Sequence, residues 1–134
     1  MRSLVLTAAV ILLSATAHAQ KFTGTCSKGD ACKAIYIEKT EGKVSVAISN
    51  GYGFAGDLVG GGAPMFFSSD ILLPDGREMK PKGNGGGCHF YFTNGGGTFT
   101  QGWESRLTTV ECDIKVEFEG QKIFKEFRFD VTKS

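Results

Sequence analysis

Val110-Glu111-Cys112-Asp113-Ile114-Lys115-Val116-Glu117-Phe118 decides the fold class. Apolar and charged residues alternate through the whole stretch. A period of two puts one set on a buried sheet face and the other in water. After Gly120-Gln121 the pattern resumes, with Ile123, Phe127, Phe129 and Val131 on one face. The two runs read as a hairpin, and two registers are open to it. Opposing residue 119 with 122 pairs Lys115 with Glu126 and Asp113 with Arg128, but sets Glu111 against Asp130. Opposing residue 118 with 121 pairs Glu117 with Lys122 and Glu111 with Arg128, but sets Asp113 against Glu126. Charge does not separate the two. Turn chemistry favours the first, which gives Gly120 the positive-φ position of a II′ turn and spares Glu119 from it.

Upstream of this hairpin the same alternation recurs. Cys88, Phe90 and Phe92 alternate with His89 and Tyr91, between Asn84-Gly85-Gly86-Gly87 and Asn94-Gly95-Gly96-Gly97. The glycine runs read as loops, and neither has the lysine or the following helix of a phosphate-binding loop. Residues 34–48 read as a hairpin turning at Glu41-Gly42. Pairing Thr40 with Lys43 puts Ile37 opposite Val46 and Ile35 opposite Ile48. Residues 50–64 are a long glycine-rich stretch. Met65 to Leu73 offers strand, Pro74-Asp75-Gly76 a turn, and Arg77 to Lys80 a return strand. The count is seven or eight strands.

Composition agrees. The chain has 134 residues with 11 Phe and 19 Gly. Phe, Val and Ile suit a pleated, half-buried surface, while Gly weakens helices and permits tight turns. The expectation is an all-β, single-domain antiparallel β-sandwich or partly open β-barrel with Gly-rich loops. Residues 1–19 stand apart from it. Arg2, the apolar run from Leu4 to Leu13, and Ala17-His18-Ala19 have the layout of a secretory signal peptide. Residues 20–134 then form one β domain, with 14 Lys+Arg against 14 Asp+Glu. Zero net charge argues against non-specific attraction to nucleic acid or anionic membrane.

Cys26, Cys32, Cys88 and Cys112 remain after cleavage. An even number in an exported chain reads as two disulfides, in one of three connectivities. Cys26–Cys32 with Cys88–Cys112 is favoured, the first stapling a local loop at Lys28-Gly29-Asp30 and the second tying two strands. The spacing lacks the close pairs and histidine partners of a zinc site. No Asn begins a glycosylation sequon, and no calcium loop occurs.

Catalytic sets are equally scarce. His89 is the one histidine after residue 19. Its simplest reading is a solvent-facing strand residue, and a two-histidine phosphodiesterase or a His-based zinc site has nothing to build on. Ser68-Ser69-Asp70 bears no likeness to a nucleophile elbow. Glu111 and Asp130, if opposed, would be two acids on an outer sheet face, where a glycosidase needs a cleft between them. No catalytic residue, metal ligand or cofactor-binding residue is assigned. Trp103, after Gln101-Gly102 near the end of a strand starting at Thr98, and Tyr52, between two glycines, are the candidates for exposed contact aromatics. Each is equally readable as a core residue, since large rings need covering.

Leader, neutral charge, four cysteines and a Phe-rich β core together resemble the small secreted disulfide-bonded effector and elicitor proteins of plant-associated fungi. The resemblance is one of layout along the whole chain and carries over no functional residue. It implies a secreted, extracellular, non-enzymatic binding protein, effector- or toxin-like, acting on a host protein or surface glycan as a monomer or weak dimer. No nucleic acid, membrane or cofactor enters that reading. The alternative is a small secreted hydrolase or hydrolase inhibitor.

Overall fold

The computed structural model describes residues 19–58, 65–81, 85–93, 99–118 and 120–132. The leader up to His18, the glycines at 60–62, Asn84 and the repeat at 94–97 lie outside the described residues. Nine strands and one helical turn follow along the described chain. They are β1 (Gln20–Lys28), β2 (Ala34–Thr40), β3 (Lys43–Ile48), β4 (Gly53–Leu58), β5 (Met65–Leu72), β6 (Glu78–Met79), β7 (Gly86–Phe92), α1 (Trp103–Arg106), β8 (Leu107–Phe118) and β9 (Gln121–Val131).

The strands lie in the order β4-β3-β2-β1-β9-β8-β7-β5-β6, and β4 also pairs with β5. That last pairing joins the order into a ring. β6 and β7 share one side of β5: Glu78 and Met79 oppose Leu72 and Ile71, while Gly87 to His89 oppose Phe67 to Met65. They are two sections of one strand position, so the ring is an up-and-down antiparallel barrel. Inward positions fill it rather than leave a channel. Ile35, Ile37, Val46, Phe54, Phe66 and Ile114 have no exposed surface. Beside the break between β6 and β7, the buried Ser68 hydroxyl has no hydrogen-bond partner among the described residues.

The β2–β3 hairpin takes the expected register, with Ile35 opposite Ile48, Ile37 opposite Val46 and Thr40 opposite Lys43. Both favoured disulfides are present, Cys26–Cys32 and Cys88–Cys112. The second joins directly opposed residues of β7 and β8. Two bonds of this kind fit an oxidising, extracellular setting.

Three expectations are corrected. The β8–β9 hairpin takes the other register, with Phe118 opposite Gln121, Glu111 opposite Arg128 and Asp113 opposite Glu126. The two registers differ by two residues and bury the same face, so burial cannot choose between them. Lys28 of β1 lies 2.7 Å from Glu126 and relieves its opposition to Asp113. Gly120, at φ 79°, takes the second position of the turn. Gly86 and Gly87 are not loop but the start of β7, opposite Ile114 and Asp113. Trp103 does not end a strand. It opens α1, a single turn held by the Arg106 guanidinium donating to the Gln101 carbonyl at 3.1 Å and to the Thr100 hydroxyl at 2.8 Å.

Candidate functional site

Outward positions of β7, β8, β9 and β1 make one continuous polar face. β8 contributes Glu111, Asp113 and Lys115, and opposite them on β9 stand Arg128, Glu126 and Phe124. β7 adds His89, opposite Glu111, and Tyr91, opposite Thr109. β1 adds Lys28, which strict alternation would turn inward, as it does Phe22, Gly24 and Cys26. A β-bulge between Cys26 and Lys28 shifts the ladder so that Lys28 opposes Arg128. A bulge of this kind re-aims one side chain without ending the pairing. Its far side is fixed by the Cys26–Cys32 bond and by Gly29 at φ 92°, whose missing Cβ would collide with the Glu126 carbonyl oxygen.

The face is concave. A groove of about 370 Å³ runs across it, lined by Lys28, Met65, His89, Glu111, Asp113 and Lys115 among others, over a floor that includes Gly86, Gly87 and the Cys88–Cys112 pair. Gly86 lets the backbones of β7 and β8 approach closely at the edge of the depression. Its φ is 141°, and a Cβ there would strike the Asp113 carbonyl oxygen. The expectation that the outer face offers no cleft is thereby corrected.

The charges around the groove are tied to one another. Glu111 accepts from the Tyr91 hydroxyl at 2.8 Å and from Arg128 Nη1 at 2.9 Å. Arg128 Nε lies 3.4 Å from the Asp130 carboxylate, which also accepts from the Thr109 hydroxyl at 3.1 Å. Glu111 and Asp130 therefore do not oppose each other as an acid pair, because Arg128 stands between them. The Ser27 and Thr109 hydroxyls and the Arg128 charge hold the Asp130 carboxyl below its usual range. The hydrogen bond and charge of Lys28 do the same for Glu126, and Glu126 in turn raises the Lys28 ammonium. The bond to Glu111 holds the Tyr91 phenol protonated beyond its ordinary range. None of these shifts prepares a proton donor for neutral pH, which a glycosidase acid requires. Among the described residues, no three His, Cys, Asp or Glu side chains are grouped to hold a metal ion.

Of the aromatic candidates, neither is presented to solvent. Trp103 is 8% exposed and packs on Phe99 at 4.8 Å and Phe22 at 5.7 Å between ring centroids. Tyr52 is also 8% exposed and packs on Phe127 at 4.7 Å. Strand direction places α1 at the end of the barrel where β1 begins, and Tyr52 at the end where β1 finishes. Each ring caps one end of the core. His89 is exposed on β7, as its alternation with Phe90 requires, and lies on the groove.

Lys28, Glu126, Arg128 and Phe124 were not singled out from sequence as site residues. The bulge that brings Lys28 to the face has no signature in Cys26-Ser27-Lys28. The β9 charges carry a signal, since alternation places them on one face, but the groove exists only once β7 contributes two glycines beside them. Comparison with known protein families, with curated proteins and with solved structures finds no match for this chain.

Proposed function

We propose that this is a secreted, non-enzymatic binding protein, effector- or toxin-like, that engages a host protein or surface glycan through the concave face of β7, β8, β9 and β1. One observation carries the reading. The groove is lined by three acids and three bases, and two pairs of them, Lys28 with Glu126 and Arg128 with Glu111, are joined across strands. Such a surface is preorganised for recognition. The leader and the two disulfides support export.

The test compares capture of partners from host tissue extract by the wild-type chain and by Lys28→Glu combined with Arg128→Glu, with circular dichroism confirming that both are folded. A partner retained by the wild type and lost by the folded variant supports the reading. Equal retention by both moves the binding site elsewhere.

A further inference from the structure

Resting on that reading of the face, we propose that the groove takes an uncharged carbohydrate, laid along β8 between Tyr91 and Phe124. Among the described residues these two are the exposed large hydrophobic side chains, Tyr91 at 45% and Phe124 at 60%. They are not scattered. Tyr91 opposes Thr109 and Phe124 opposes Lys115, so both rings stand on the outer face at opposite ends of one stretch of β8. At the usual strand rise, Thr109 to Lys115 spans about 20 Å, the length of a short oligosaccharide. Neither ring lines the groove itself, whose β8 residues Glu111, Asp113 and Lys115 fill the stretch between those two register positions.

Its chemistry suits sugars. A pyranose has an apolar C–H face and a rim of hydroxyls. The exposed rings offer surfaces for the first, although the Lys115 ammonium already lies 5.8 Å from the Phe124 centroid. The lining offers partners for the second. Carboxylates of Glu111, Asp113 and Glu126 accept, ammonium and guanidinium groups of Lys28, Lys115 and Arg128 donate, and a hydroxyl does both. Three acids against three bases give the groove no net charge. A sulfated or uronic-acid polymer therefore finds no excess of cations, and a basic peptide no excess of acids. The bonds from Tyr91 and Arg128 to Glu111 are in place before any ligand arrives, which lowers the ordering cost of binding. The volume of about 370 Å³ is at the lower end of small-ligand sites, matching a groove that holds part of a chain rather than enclosing it.

The experiment titrates the full mature chain with neutral cello-, xylo-, manno- and chito-oligosaccharides and follows backbone amide shifts by NMR. At least one should give saturable shifts confined to β7, β8, β9 and the end of β1. Raising NaCl from about 50 to about 500 mM should leave the affinity unchanged, since no net charge is neutralised. Tyr91→Ala and Phe124→Ala, each checked for folding by circular dichroism, should weaken binding roughly tenfold. Absence of binding across the panel would overturn the inference, as would affinity that falls steeply with salt or is indifferent to both aromatic substitutions. If the sugars fail while a host protein is still lost with the Lys28→Glu, Arg128→Glu variant, the carbohydrate is wrong and the binding face stands. If the sugars fail and that variant also retains the host protein, both fall.

Discussion

A side chain at position 86 would meet the Asp113 carbonyl, in a backbone conformation that side chains avoid. Gly86→Ala should therefore cost more than about 1 kcal/mol, read from denaturant unfolding, because strain and collision add. It should also perturb the NMR signals of the groove before it unfolds the barrel. Charge at the same face sets a pH dependence. Glu126 is held below the usual carboxylate range first by the hydrogen bond and then by the charge of Lys28, and Asp130 first by the Ser27 hydroxyl. A carboxyl depressed in the folded state contributes stability above its unfolded pKa and loses that contribution as pH falls through its folded pKa. Stability should hold through neutrality and decline below roughly pH 4. Lys28→Met should return the Glu126 pKa to the ordinary range, measured by NMR titration of its side chain. An unmoved Glu126 would show that the pair is not formed in solution.

Hairpin β8–β9 shows what alternation encodes and what it leaves open. Its buried face was legible residue by residue, since Val110, Cys112, Ile114, Phe127 and Phe129 are all in the core. Its register was not, because a shift of two residues preserves every face, and the Lys28 charge that relieves the Asp113–Glu126 opposition belongs to another element. Cross-strand NOEs should link Val110 to Phe129 and not to Val131. Ile114→Ala and Phe129→Ala should each cost about 2–5 kcal/mol, and Glu117→Ala on the wet face no more than about 0.5 kcal/mol. Equal losses on both faces would contradict the observed burial. β1 and β4 illustrate a different limit. Gly24 in the one and Gly56 in the other occupy inward positions where an apolar side chain would have announced the strand. The groove was hidden for a related reason: its lining includes glycines that read as loop and a lysine turned outward by a bulge.

Closure of the ring makes the whole molecule depend on its ends. Trp103, the single tryptophan, caps one of them at 8% exposure. Its fluorescence should be blue-shifted and poorly quenched by iodide, and should move to the red in one step with the loss of circular dichroism. Trp103→Ala should cost about 3–5 kcal/mol. Partner binding, by contrast, should survive His89→Ala and treatment with a chelator, and loss of binding by either in a folded protein would point to an ionisable or metal centre. The ring also bears on how the chain withstands proteolysis. Digestive enzymes grip their substrates as extended segments, borrowing the unpaired backbone of a strand. Here β4 meets β5 and β1 meets β9, so the long strands are already partnered on both sides. An attacking protease is left with the connections. The connection between β1 and β2, largely exposed, is cross-linked at its base by Cys26 and Cys32, so a cut inside it would leave the two halves joined.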